Sequence, residues 1–216
     1  MKLTPQEELT IQAYSENAVE WVKEHSDTNY WKEELATFKG LLPSGKILEI
    51  GCGGGRDAKV LISMGYDYIG TDISSEFVKV AKRLVKNGKF LCKSVYDLGF
   101  KDSKFDGFWA SAVFLHIPKR RIDEALQDVV RVTRDNGLGF ISVKQGKGEP
   151  IIEEVYIGSN RNLKLFWAFY HKTEFDKVLK RNNLEVIMFN KWTISKRTTW
   201  LIYFVKVVKS PIPRKV

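Results

Sequence analysis

The residues best placed to do chemistry cluster between Ile47 and Ser74. Lys46-Ile47-Leu48-Glu49-Ile50 reads as a short apolar strand running into the turn Gly51-Cys52-Gly53-Gly54-Gly55. Glycines in such a turn let a ligand approach the backbone, and the helix that follows offers unpaired N–H groups and a partial positive charge. Asp72 ends the next strand, seventeen residues after Gly55. An acid at that place can accept hydrogen bonds from both hydroxyls of a ribose, or cap the following helix. A dinucleotide fingerprint needs glycine at the sixth position from Gly51, where Arg56 stands instead. A phosphate loop closing in Gly-Lys-Ser/Thr is also absent. Glu49, inside the turn, would repel a pyrophosphate. The pattern suits a nucleoside ligand without phosphate that carries an ammonium and a sulfonium.

Further along, Ala110 and Ser111 close an apolar strand, at the end where ligands gather in parallel sheets. His116 follows six residues after Ala110, beside Pro118. A neutral imidazole there could take a proton from a hydroxyl or amine, or could order its loop by bonding backbone. Cys52 and Cys92 stand forty positions apart with no Cys/His cluster near either, which excludes a disulfide framework and predicts no metal site.

The elements that must position these residues alternate. Residues 4–24 predict one amphipathic helix with Leu9, Ala13, Val19 and Val22 on its face, and Trp31–Leu41 a second. After the first strand and its glycine turn, Ala58, Leu61 and Ile62 recur at helical spacing, and Gly65 closes that helix. Tyr66–Thr71 predicts a second strand, and Ser74 a cap for a helix carrying Phe77, Val80, Ala81, Leu84 and Val85. Phe90–Ser94 and Phe105–Ala110 predict further strands. A helix with Ile122, Ala125, Leu126 and Val129 in register follows, then the turn Asp135-Asn136-Gly137 and a fifth strand, Leu138–Val143. Such alternation implies right-handed crossovers and a parallel sheet covered on both faces. Lys144–Asn162 predicts loop, followed by the aromatic block Phe166–Tyr170, a helix over 172–182, and the strands Leu184–Trp192 and Thr198–Val208. The short connection between the last two makes them an antiparallel pair. The tail Pro211-Ile212-Pro213 is expected to fray.

The bulk composition fits one domain. The chain has 216 residues, 44% hydrophobic and 28% charged, enough for a sizeable core. No apolar run approaches the ~20 residues of a membrane span, and the first residues lack the basic and apolar regions of a signal peptide, so a soluble cytoplasmic protein is expected. The net charge of +9 is spread along the chain, as in Lys119-Arg120-Arg121. It favours anionic partners, nucleic acid among them, although no nucleic-acid module is visible.

Four stretches together resemble the class I S-adenosylmethionine-dependent methyltransferases, of the broad small-molecule and ubiquinone-biosynthesis-like group. Ile47-Leu48-Glu49-Ile50-Gly51-Cys52-Gly53-Gly54-Gly55-Arg56-Asp57 resembles the family's first motif and Tyr68–Ser74 its second. Phe105–His116 resembles the fourth motif, and Arg131–Gly137 the family's helix-to-strand turn. The likeness spans roughly residues 8–207. Two departures stand out: Ser94-Val95 where the family often has Asp-Ala, and Asp135-Asn136-Gly137 where it usually ends in Pro-Gly-Gly.

The resemblance implies an α/β, Rossmann-like seven-stranded sheet, mostly parallel with a C-terminal antiparallel hairpin and helices on both faces. Residues 1–216 then form one domain: lid helices over 1–42, a cofactor-binding core over 46–143, and an acceptor-side segment with the terminal hairpin over 144–208. It implies S-adenosylmethionine as cofactor and S-adenosylhomocysteine as product. Gly51, Cys52, Gly53 and Gly55 would pass close to the methionine part. Glu49 would order the turn and reach the amino group, and Arg56 would face the carboxylate. Asp72 would hold the ribose and Ile73 the adenine face, with Ser94, Val95 and Tyr96 around the adenine. Ala110 and Ser111 would border the site, Tyr14 would cover it from the lid, and His116 is the candidate base. The expected acceptor is a small molecule taking the methyl on oxygen or nitrogen. An RNA (tRNA) methyltransferase and a non-catalytic binder of S-adenosylmethionine are the alternatives, and monomer and homodimer both fit.

Overall fold

In the computed structural model, which describes residues 2–155, 162–196 and 198–209, the first strand is an interior strand of a seven-stranded sheet. That strand, β1 (Lys46–Ile50), pairs in parallel with β2 (Asp67–Asp72) on one side and with β4 (Phe105–Ser111) on the other. β3 (Lys89–Cys92) extends the β2 side, and β5 (Thr133–Lys144) pairs in parallel with β4. β9 (Thr198–Val207) runs antiparallel to β5, and β8 (Leu184–Ser195) antiparallel to β9. The order β3-β2-β1-β4-β5-β9-β8 is the mostly parallel sheet with an antiparallel hairpin that the alternation predicts.

Both faces of the sheet are covered at β1, as its apolar pattern requires, whereas the edge strand β8 is exposed along most of its length. Leu48 and Ile50 of β1 pack with Ile122, Leu126 and Val129 of α6 (Ile122–Val132) and with Phe175 and Leu179 of α7 (Lys172–Arg181). Ile47 points to the other side. There it joins Leu35 and Phe38 of α3 (Lys32–Leu41), Leu61 of α4 (Arg56–Ser63), and Val78 and Ala81 of α5 (Ser75–Leu84). Residues one apart on a strand face opposite sides, so this continuous apolar run fits a strand buried twice over.

Three local expectations need correction. The helix over 4–24 is two helices, α1 (Pro5–Glu16) and α2 (Ala18–Glu24), broken at Asn17. Asn17 Nδ2 donates to the Ala13 carbonyl at 2.8 Å, so its side chain competes with the helical ladder. The buried side of α1 also differs from the expected apolar face: it carries Glu7 and Thr10, while Val19 of α2 is exposed. The second correction concerns Asp135-Asn136-Gly137, which lies inside β5 as a bulge. Asn136 takes φ 60°, and the β4 register jumps from Phe105 opposite Thr133 to Gly107 opposite Leu138. Third, the segment read as loop holds a hairpin of β6 (Ile151–Val155) and β7 (Asn162–Phe166). Leu163 and Leu165 are buried while Lys164 is exposed, a period of two that the aromatic block beside it obscured. The 211–213 tail lies outside the described residues.

Candidate active site

β1 and β4 are neighbours although β2 and β3 lie between them in sequence, so the chain reverses direction of travel across the sheet at this pair. In parallel sheets, ligands bind outside the carboxyl ends of the strands at such a switch point. A cavity of about 500 Å³ opens there. Its wall takes residues from the glycine turn, the end of β2, the segment after β3, the end of β4, and α1 and α2.

The turn is built to be tight. Gly51 has φ 67°, in the left-handed region, and any Cβ there would collide with Val113. Cys52 N–H donates to the Thr71 carbonyl at 2.9 Å and Gly53 N–H to Asp72 Oδ2 at 2.9 Å, which ties the turn to the end of β2. Ser74 N–H donates to the other oxygen, Asp72 Oδ1, at 2.9 Å. The Asp72 carboxylate is therefore fixed from both sides, and burial pushes its pKa up to about 6 against these backbone bonds. Glu49, in β1 just before the turn, is buried and accepts a hydrogen bond from Tyr68 Oη. Burial, with the Asp57 charge nearby, raises its pKa well above the carboxylate range. Asp57 is buried as well; it accepts from Trp109 Nε1 at 3.0 Å and pairs with Arg56 at 2.6 Å.

Three acids thus converge on one cavity, and two of them carry a desolvation penalty. A bound cation would relieve that penalty, whereas a phosphate would increase it. The residues present fit the nucleoside ligand that the sequence pattern predicts: Glu49 for an ammonium, Asp72 for ribose hydroxyls.

Most expected site residues meet here. Glu49, Gly51, Cys52, Gly53, Arg56, Asp72, Ile73, Ser94, Val95, Tyr96 and Ser111 all line the cavity, as do Tyr14 and His116. Two expected residues do not. Gly55 faces Val85 and Phe90 at the back of the turn, and Gly54 takes its place in the wall. Ala110 is fully buried in the core, and the wall is formed by Ser111, Ala112 and Val113 beyond it. Arg56 reaches the cavity, but its guanidinium already makes two bonds to Asp57. Of the aromatic block, Trp167 lines the cavity while Phe166 and Tyr170 belong to the core.

Tyr14 and His116 touch. Tyr14 Oη lies 3.0 Å from His116 Nε2, and His116 Nδ1 lies 2.9 Å from the Phe166 carbonyl. A carbonyl can only accept, so Nδ1 carries the proton and Nε2 accepts from Tyr14. Desolvation lowers the His116 pKa to about 4 despite the Phe166 bond, and the Lys144 charge adds to the effect.

Helix α1 is anchored over the cavity at several points. Its capping box pairs Thr4 with Glu7, and Glu7 also accepts from Tyr96 Oη and from Arg121 Nη1, the latter at 2.8 Å. Thr10 Oγ1 accepts from Phe166 N–H at 3.0 Å, and Ser15 Oγ meets Ser74 Oγ at 2.8 Å. Sequence reasoning missed these anchors along with Gly54, Ala112, Trp21, Tyr30, Lys144 and Trp200 of the wall. The one available signal was a glutamate three residues after Thr4 at a helix start.

Among the described residues, no group of His, Cys, Asp and Glu has a metal-holding arrangement, and no helix is long and apolar enough to cross a membrane.

Residues 48–141 match the model of the methyltransferase domain family. An uncharacterized protein of Methanocaldococcus jannaschii is 35% identical over 136 residues, covering 58% of this chain and 62% of that protein, less than two thirds of its length. A ubiquinone biosynthesis O-methyltransferase of Pelagibacter ubique is 26% identical over 186 residues, covering 76% of this chain and 75% of that one. Among solved structures, the Burkholderia thailandensis 1,6-didemethyltoxoflavin-N1-methyltransferase, crystallised with 1,6-didemethyltoxoflavin and S-adenosylhomocysteine, shares the fold with a TM-score of 0.76. That match is 16% identical and covers 97% of this chain and 93% of the other.

Proposed function

Because the chain belongs to the S-adenosylmethionine-dependent methyltransferases, we propose that it transfers a methyl group to an oxygen or nitrogen of a small-molecule acceptor inside the cavity described above. The observation that carries this reading is the convergence of Glu49, Asp57 and Asp72 on a glycine turn that has no phosphate-binding lysine. When bound, S-adenosylmethionine supplies an electrophilic sulfonium methyl. Glu49 would face its amino group, Asp72 its ribose, and Ile73, Ser94, Val95 and Tyr96 its adenine, while Gly51 and Gly53 keep the backbone close.

The chain's own contribution is mainly placement. Charge disperses as a sulfonium methyl moves, so orientation of the acceptor should supply most of the acceleration. Tyr14 and His116 form the polar end of the acceptor side. His116 Nε2 holds the Tyr14 proton, and an acceptor proton can pass to Tyr14 Oη as that proton moves onto Nε2. An imidazole with its pKa near 4 stores a proton poorly, so the pair suits acceptors that arrive ionised or release their proton late.

A small acceptor fits a cavity covered by α1 and α2, and the Pelagibacter ubique and Burkholderia thailandensis proteins both have names that point to small molecules. The test is an extract incubated with the purified protein and isotopically labelled S-adenosylmethionine, followed by identification of the labelled product. A labelled small molecule supports the reading. Label confined to RNA would favour a nucleic-acid acceptor, and binding with no transfer would favour a sensor.

A further inference from the structure

The edge strand β8 carries an exposed apolar strip. Among the described residues ten large hydrophobic side chains are exposed, and five of them, Val186, Ile187, Met188, Trp192 and Ile194, belong to this one strand. β9 pairs with one side of β8, and no strand of the described residues pairs with the other. The unpaired N–H and C=O groups of such an edge are a template for another strand. Monomeric proteins guard long edges with lysines and bulges. β8 has Lys191 and two bulges, yet the bulges stand almost symmetrically about Asn190. The ladder with β9 slips between Val186 and Met188, and again between Thr193 and Ser195. From Met188 to Thr193 the register is regular. Side chains alternate along that stretch, so Met188, Asn190 and Trp192 share one face and Phe189 and Lys191 the other.

This stretch is complementary to itself. Antiparallel pairing about a two-fold axis at Asn190 sets Met188 opposite the partner's Trp192, Phe189 opposite the partner's Lys191, and Asn190 opposite its own copy. Each pairing attracts: a thioether meets an indole, an ammonium meets a phenyl ring, and two amides can exchange hydrogen bonds. The bulges match as well. Ile187 and Ile194 lie three and four residues from Asn190, so the first bulge of one copy meets the second bulge of the other. Beyond the bulges, Glu185 arrives opposite the partner's Ser195 and beside the partner's Lys196. Glu185 and Lys196 are both exposed, and neither has an ion pair among the described residues. From this self-complementarity we infer that the β8 edge is occupied by a second copy of this chain, in an isologous two-fold dimer whose sheet runs through both copies. The strip is narrow, at the low end of interface sizes, so the association depends on concentration. The interface flanks the cavity without entering it. Ile194 borders the cavity, and the Trp192 ring lies 5.2 Å from Tyr30 and 5.8 Å from Trp31. The dimer does not depend on which acceptor takes the methyl group.

Sedimentation equilibrium of the full chain, from about 1 µM to 1 mM, should show a reversible monomer–dimer equilibrium. Asn190→Lys sets like charges directly opposite each other and should weaken dimerisation roughly fivefold or more, with the circular dichroism spectrum unchanged. Register is tested separately, in a Cys92→Ser background that removes the exposed thiol. Opposed residues of an antiparallel pair have Cα atoms about 4.5–5.5 Å apart, within the span of a disulfide. Asn190→Cys should therefore cross-link two copies under mild oxidation. Met188→Cys should not, because its own copy lies four residues along the partner strand, roughly 13 Å away. A monomer across the whole range, or a dimer that Asn190→Lys leaves intact, overturns the inference. So does failure of Asn190→Cys to cross-link, or cross-linking that favours Met188→Cys over it.

Discussion

Tyr14 of the first helix and His116 after the fourth strand, 102 positions apart in sequence, meet at 3.0 Å through Oη and Nε2, with the imidazole fixed from behind by the Phe166 carbonyl. Both ring nitrogens are therefore engaged, and the pair acts as one unit. Changing His116 to Ala should lower kcat far more than it weakens cofactor binding. Tyr14→Phe should cost a similar factor, and the double variant little more than either alone, because residues sharing one hydrogen bond are not additive. Steady-state kinetics of the three variants checks this, and additive losses would show that the two act separately.

The depressed His116 pKa sets a sign for stability. From about pH 6.5 down to about 4 the unfolded chain binds a proton that the folded imidazole refuses, so the folded state loses stability across that window as pH falls. Other acids titrate there too, so the useful quantity is a difference. His116→Gln, which cannot take up that proton, should gain on the wild type between pH 6.5 and 4 in denaturant melts. Proton-detected titration of the ring should place its midpoint well below 6. A gap independent of pH would contradict the buried, neutral imidazole.

Glu49 is held in a position that favours its neutral form, by burial first and by the Asp57 charge next. Binding of a cationic group should ionise it. Affinity should therefore rise with pH, and calorimetry in buffers of different ionisation enthalpy should detect proton release on binding. Glu49→Gln keeps an acceptor for Tyr68, so the unliganded variant should be at least as stable as the wild type. It should bind S-adenosylhomocysteine roughly tenfold or more weakly, as for a lost charge-assisted hydrogen bond.

Helix α1 depends on Glu7 and Arg121, whose side chains are only 5% and 10% exposed. Arg121→Met strands the carboxylate and should cost about 3 kcal/mol, the usual range for breaking a buried pair. Burial pushes the Glu7 pKa up, but hydrogen bonds from Tyr96 and Thr4, with the Arg121 charge, hold it below the ordinary value. A depressed acid of this kind stabilises the fold above pH 4.5, and that contribution is lost as the pH falls through its folded value. Arg121→Met should also raise KM for both substrates if α1 positions Tyr14, whereas a purely structural ion pair would change the melting point alone.

A methyl group placed on Gly54 would collide with Val22 of α2. Gly54→Ala should lift that helix from the turn and speed cofactor dissociation, and adding Val22→Ala should restore it. Stopped-flow release of S-adenosylhomocysteine from the single and double variants measures this directly.

What the sequence revealed divides along physical lines. The glycine turn and Asp72 were legible because they are constrained by their own backbone: positive φ at Gly51, and a strand end that accepts from Gly53 and Ser74. The sheet was legible because strands buried on both faces leave continuous apolar runs. Tyr30, Lys144 and Trp200 converge from distant parts of the chain, and no local pattern records that meeting. Ala110 was placed in the wall because its strand end was right, yet a strand alternates faces and Ala110 points into the core. The break at Asn17 escaped the helical period because a local side-chain bond to the Ala13 carbonyl competes with the ladder, and the polar face of α1 escaped it because hydrogen bonds to distant residues hold that helix down.

The central claim is a cofactor site anchored on Asp72, and the most direct measurement is calorimetric titration with S-adenosylhomocysteine of the wild type and of Asp72→Ala. The wild type should bind one equivalent. The variant should bind at least roughly tenfold more weakly, since a carboxylate accepting from two ribose hydroxyls contributes more than a neutral hydrogen bond, and it should remain folded by circular dichroism. No binding by the wild type, or equal affinity in the folded variant, would contradict the account.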